Sequence, residues 1–156
     1  MRRADRAVTD PAQLLDIIRS CQVLRLAMNG EEGRPYLVPL SFGSWYEDGQ
    51  LELYFHSALQ GRKLDLLRQN PQVCFELDCG HALVPADLPC GYSYRYASVI
   101  GEGTVELVEE PARKVLYLQR LLRHQTGRDF PLREEQAASV AVGRILVHSL
   151  TGKAHR

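Results

Sequence analysis

The stretch LELYFHSALQGRKLDLLRQNPQVC, Leu51 to Cys74, decides how this chain folds. It opens with strict alternation: Leu51, Leu53 and Phe55 share one face of a strand over Leu51–His56, while Glu52, Tyr54 and His56 share the other. One face is made for burial and the other offers polar groups. Past Ser57 the period becomes that of a short helix, Gly61 to Gln69, whose Leu64 and Leu67 stripe suits docking on a sheet. Asn70-Pro71 stops that helix and hands the chain to another strand. The corner between strand and helix joins the free N–H groups of a helix start, the permissive Gly61 and the adjacent cations Arg62 and Lys63. These are the parts of a phosphate cradle; a solvated helix face is the plainer alternative for the two cations.

Upstream, Asp10-Pro11 supplies an N-cap and a first-turn proline, and Leu14, Leu15, Ile17 and Ile18 recur at helical spacing to about Cys21. The residues before it are polar, and Arg2, Arg3 and Arg6 read as a solvated basic arm. Val23 to Met28 alternates, Asn29 to Gly33 is rich in turn formers, and the return strand Pro35–Tyr46 carries Pro39 in mid-course. Proline there lacks a ladder N–H, which predicts an edge or a bulge with backbone free to face a ligand. Glu47 to Gln50 closes a second turn, so three strands form an antiparallel meander.

Downstream, Gln72 to Asp78 alternates with Val73, Phe75 and Leu77 inward, and Gly80 to Gly91 reads as a surface loop. Tyr92 to Val108 is a long strand interrupted by Gly101 and Gly103, where a bulge or bend is expected; the third glycine of a dinucleotide fingerprint is missing. Pro111 opens the strongest helix, with Val115, Leu118, Leu121 and Leu122 as its apolar stripe and Gly127 as its end. His124, near that end, is explained by charge and helix dipole. Phe130 to Gln136 is a loop or helical turn, Val140 to His148 a last strand, and Leu150 to Arg156 a tail.

The 156 residues are most simply one domain, 1–156, and 45% hydrophobic with 24% charged residues is ordinary for a globular protein. Nineteen basic and nineteen acidic residues cancel, so no global field draws the chain to nucleic acid or a membrane, and any anion site must be local. No apolar run spans a bilayer and no secretory leader is evident, which places the protein in the cytoplasm as an expectation. The four cysteines, Cys21, Cys74, Cys79 and Cys90, read as free thiols. Cys79, His81 and Cys90 are a conceivable zinc set, but the spacing fits no familiar finger and no metal is expected. No nucleophile elbow, zincin motif or P-loop is present.

Six strands joined mostly by short turns predict a mainly β protein with peripheral helices, an α+β chain whose antiparallel sheet curls into a small barrel. VPLSF at 38–42, YFHSALQGRKLDLLRQNPQVCF at 54–75, YRYASVIGEGTVELV at 94–108 and LTGK at 150–153 resemble the pyridoxamine 5′-phosphate oxidase-like split barrels, in particular their nitroimidazole-resistance branch. The resemblance runs from Arg3 to Lys153, and HSALQGRK is its most specific part.

The resemblance implies an antiparallel six-stranded split β-barrel of the FMN-binding type and a homodimer with two FMN sites at the subunit interface. It implies that Val38, Pro39, Leu40 and Ser41 line the flavin, that Tyr54, His56 and Ser57 continue the wall, and that Arg62 and Lys63 hold the phosphate. Arg95, Tyr96 and Ser98 would close the site from the other subunit. His56 is either a hydrogen-bonded wall residue or a proton donor, a role suited to histidine's ordinary titration near neutrality. Tyr54 and Tyr96 could equally be core aromatics, and Trp45 packing or a lid. The implied activity is FMN-dependent reduction of a small planar substrate such as a 5-nitroimidazole. Pyridoxamine phosphate oxidation, a deazaflavin reductase, and a non-catalytic flavin or haem carrier with His56, His81 or His148 as axial ligand remain as rivals.

Overall fold

The computed structural model describes residues 4–155. Arg2 and Arg3 of the basic arm lie outside them, and Arg6 ends a single 3-10 turn before the two-residue strand β1 (Ala7–Val8). The Asp10 side chain accepts from the Ala12 amide at 3.0 Å and starts α1 (Pro11–Ser20), as its cap-and-proline signal predicts. The meander follows: β2 (Val23–Asn29), β3 (Pro35–Glu47) and β4 (Gln50–Ser57). The β3–β4 turn puts Asp48 and Gly49 at φ 51° and 81°, the pair of positive values that lets a two-residue loop follow the twist of its strands. Next come α2 (Arg62–Gln69), β5 (Gln72–Val84), β6 (Ser93–Val108), α3 (Pro111–Thr126), α4 (Glu134–Ala137) and β7 (Ala141–His155).

Every strand pairing is antiparallel, and the order β7-β4-β3-β2-β5-β6 returns to β7, a six-stranded ring with β1 added to the end of β7. The ring is filled by Leu24, Leu26, Phe42, Leu53, Phe55, Phe75, Leu77, Val99 and Ile145, of which Leu53, Phe55, Phe75 and Leu77 are predicted inward residues, and α1 adds Ile17 and Ile18. Gly101 and Gly103 stand where the β6–β7 register shifts, and an added Cβ would strike Phe75 of the neighbouring β5 at Gly101 and Ile145 of the neighbouring β7 at Gly103. Among the described residues no helix is long and apolar enough to cross a membrane.

Three expectations are corrected. β5 does not end near Asp78: a register shift between Cys79 and Ala82, with Gly80 at φ 69°, lets it resume and pair Ala82–Val84 with Arg95–Ser93, so much of the expected loop is a strand arm. β7 does not end at His148 but pairs with β6 as far as His155. Its polar second half alternates, exposed Ser149 and Thr151 against part-buried Leu150 and buried Gly152, and Gly152 lets Leu14 and Val8 pack against the strand. The buried face of α3 is centred on Tyr117 and Leu121, with Val115, Leu118 and Leu122 at its margins.

Candidate functional site

β3 serves two neighbours in succession. Residues 35–41 pair with β2, whereas pairing with β4 begins only at Phe42, opposite Phe55. Over Val38–Ser41 one edge of β3 therefore has no strand beside it, and Pro39, which has no N–H to offer, sits in that stretch as its chemistry predicts. β4 continues along β7 through His56 and Ser57, opposite Val142 and Ala141, then leaves for α2. The parting of β3 from β4 is the split in the barrel. Its borders are the free β3 edge, the end of β4 and the start of α2.

Alternation sorts the β3 side chains. Tyr36, Val38 and Leu40 pack on the barrel core, while Pro39 and Ser41 are exposed, so Val38 and Leu40 can offer a ligand only backbone and Ser41 can offer its hydroxyl. His56 is exposed beside the split and Ser57 half-buried, its hydroxyl donating to the Ala58 carbonyl at 3.0 Å.

At the third border, Gly61 adopts φ 141°, a value its missing Cβ permits, and α2 begins with no side-chain cap on its amides. The Arg62 guanidinium lies 4.6 Å from the centroid of the Tyr36 ring, and the Lys63 ammonium 5.5 Å from that of Phe55. The helix start is thereby tied to both strands that bound the split. Among the described residues neither cation has a carboxylate partner; the nearest acid in sequence, Asp65, is taken by Arg68 at 3.2 Å. Burial pushes the Lys63 ammonium below the usual lysine range. Two unpaired cations, uncapped amides and a positive helix end make a local anion site in a chain of zero net charge. Tyr36 escaped the sequence reading because it belongs to the core-facing set and only the tertiary arrangement brings it under Arg62.

Tyr54 requires a correction. Its side chain is not on an open wall but fully buried beneath α3, stacked on Tyr117 with centroids 4.5 Å apart. Its hydroxyl donates to Glu52 at 2.5 Å and accepts from Arg120 at 2.5 Å. Glu52 also takes Arg144, which bridges to Glu106 at 3.1 Å, and Arg113 closes on Glu106 at 2.6 Å. Burial pushes the Glu52 carboxyl up, but hydrogen bonds from Arg144 and Tyr54 and the charges of Arg144 and Arg120 outweigh it and hold the group below the usual range. This network clamps α3 to the outer face of the barrel and covers the strand face at Tyr54. His124 is corrected too. Its Nδ1 accepts from Ser44 Oγ at 3.0 Å and its Nε2–H donates to the Cys21 carbonyl at 2.9 Å, and burial lowers its pKa, so it is a neutral bridge and not a cation on a helix dipole.

Arg95, Tyr96 and Ser98 lie on β6, opposite Ala82, His155 and Lys153 respectively, and β6 adjoins neither β3 nor β4. Within one chain they do not join the split. His81 is held by Asp78 at 2.7 Å, with Asp78 also bound to Arg25, and among the described residues no three His, Cys, Asp or Glu side chains are arranged to hold a metal.

The family profile of pyridoxamine 5′-phosphate oxidase matches residues 10–154. The chain belongs to the pyridoxamine 5′-phosphate oxidase family. Among solved structures of the same fold, a Bacteroides thetaiotaomicron protein provisionally described as a 5-nitroimidazole antibiotic resistance protein is 32% identical, with 95% of this chain and 86% of that one covered and a TM-score of 0.81. The flavocytochrome Anf3 of Azotobacter vinelandii is 21% identical over 100% of this chain and 72% of its own, at TM-score 0.80. An FAD- and haem-binding protein of Mycobacterium smegmatis is 20% identical over 97% and 74%, also at 0.80. The last two establish the fold alone. No curated protein matches. For this member of the family, the split offers a planar ligand a strand edge and an anionic ligand two free cations.

Proposed function

We propose that this chain binds FMN at the split and is an oxidoreductase that reduces small planar substrates, with 5-nitroimidazoles as the class to test. The observation that carries this reading is the pair Arg62 and Lys63, which lack carboxylate partners among the described residues and stand at an uncapped helix start beside a free strand edge. The likeness, at 32% identity, to a protein provisionally linked with nitroimidazole resistance supports the substrate class. Arg62, Lys63 and the first amides of α2 hold the phosphate; the β3 edge at Val38–Leu40, with the Ser41 hydroxyl, runs along the ribityl chain and ring. The flavin, when bound, supplies the electron chemistry. His56, exposed at the border of the split, forms part of the wall and is the side chain placed to deliver a proton to a reduced substrate.

The working form in this reading is a cytoplasmic homodimer, with Arg95, Tyr96 and Ser98 of one chain closing the split of the other. Large apolar side chains exposed on the β5–β6 arm and beside the split, Leu83, Leu88, Tyr92, Tyr94, Leu37 and Leu59, give such an interface its material.

The test is the absorption spectrum of the purified protein, the mass of the released cofactor, and anaerobic turnover of a 5-nitroimidazole with a chemical or nicotinamide donor. Flavin bands, the mass of FMN and loss of the nitro absorbance are expected. A Soret band or a deazaflavin mass overturns the cofactor assignment, and bound FMN without turnover leaves a flavin carrier in place of an enzyme.

A further inference from the structure

On the face of the barrel where α1 and α3 approach each other over β3, a cavity of about 370 Å³ opens. None of the split residues lines it. Leu15 supplies apolar surface with the buried Ile18 and Leu51 behind it, and Trp45 forms one side. Three guanidiniums, Arg19, Arg120 and Arg123, line it with no carboxylate among the lining residues, and His124 adds no charge near neutrality because burial holds its pKa below the ordinary range.

Arg120 is the built element. Its side chain is only 17% exposed, and its guanidinium lies 4.2 Å from the Trp45 ring centroid. Its contacts with Tyr54, at 2.5 Å, and Glu52, at 3.7 Å, both use Nη1, so Nε and Nη2 find no protein acceptor among the described residues. A guanidinium held from behind with unused donors is pre-organised for a carboxylate. Arg19 and Arg123 flank it on side chains that are each 62% exposed, with partners Asp16 and Asp129 at 3.4 and 3.5 Å. Exposed pairs of that kind are weak and exchange readily for a better-placed anion.

We infer that this cleft is a second ligand site, separate from the split, which takes a small amphipathic carboxylate. The acid group sits on Arg120 with Arg19 and Arg123 around it, and an aromatic or branched apolar body lies over Leu15 and Trp45. An inorganic anion would leave the apolar surface wet, and a neutral aromatic would leave the guanidinium unanswered. The site does not depend on what occupies the split.

Trp45 is the only tryptophan of the chain, so a single indole N–H resonance and the intrinsic fluorescence both report from the cleft itself. Flavin-loaded protein is titrated with benzoate, and with benzamide as a neutral near-isostere. The expected result is a saturable indole shift with benzoate, little with benzamide, and affinity about tenfold or more weaker in R19E/R123E, two exposed changes that leave the remaining amide spectrum in place. Arg120→Lys, which keeps the charge but loses the fork, is expected to weaken benzoate as well. Absence of a saturable shift, equal response to benzamide, or unchanged affinity in R19E/R123E overturns the site.

Discussion

Lys63 concentrates the argument at the scale of single residues. Its ammonium is half-buried and has no carboxylate partner among the described residues, and burial lowers its pKa in the free protein. Because the folded value lies below the ordinary 10.5, the folded chain binds fewer protons than the unfolded chain between those two pH values, and free-protein stability rises with pH across that window. An anion on Lys63 reverses the shift. Flavin or inorganic phosphate binding in the alkaline range is therefore expected to take up protons, visible as a buffer-dependent enthalpy in calorimetry; no proton uptake would remove Lys63 from the phosphate site. R62A/K63A should release most of the flavin while keeping the far-ultraviolet spectrum of the folded chain. His56→Asn separates wall from chemistry: retained flavin with nitroimidazole turnover near the parent level makes His56 a wall residue, and retained flavin with turnover lost makes it the proton donor. Glu52→Ala strands Arg144, Arg120 and the Tyr54 hydroxyl under α3, where Arg144 Nε already lacks an acceptor, and should cost about 3 to 5 kcal/mol in urea unfolding.

At the scale of elements, α3 holds to the barrel through contacts of different chemistry along its length. Arg113 and Arg120 join the acidic side chains of β6 and β4, Tyr117 stacks on Tyr54, and His124 ties the last turn to β3 and α1. Gly43 makes the close approach possible, since a Cβ there would meet the Leu121 backbone. The His124 tie is pH-dependent. With its folded pKa below the ordinary 6.5, its contribution is intact above 6.5 and is lost as pH falls from there through the folded value, because the unfolded chain then binds the extra proton. Melting temperature should fall between about pH 7 and pH 5, and His124→Gln should flatten that part of the profile. The apolar stripe predicted the existence of α3 well but its buried face only roughly, since Tyr117 and Arg120 serve the buried side through polar contacts that hydrophobic periodicity does not register.

At the scale of the whole molecule, the split and the candidate closing residues sit on different parts of one ring. Arg95, Tyr96 and Ser98 reach a flavin at the split only from a second chain, so the proposed dimer and the proposed cofactor stand together. L83E/Y94E on the β5–β6 arm, two exposed positions, should yield a folded monomer by sedimentation with much reduced flavin content. A dimer that persists with flavin bound would exclude the arm from the interface.

What the sequence determined by itself was local: alternation named the buried face of β4 and the inward residues of β5, cap chemistry placed α1, the Asn70-Pro71 stop ended α2, and the Gly61-Arg62-Lys63 corner marked an anion site. Each of these rests on neighbours within a few residues, where stereochemistry acts directly. Tertiary structure alone decided that β5 resumes after a bulge and that β7 runs on to His155, because strand length there depends on a partner strand and not on hydrophobicity. It alone set Tyr54 beneath α3 while leaving His56, two residues on and on the same strand face, in the open. Alternation assigns a face but cannot say what covers it; that depends on where a helix some sixty residues away comes to rest, which packing energy decides and local sequence does not encode.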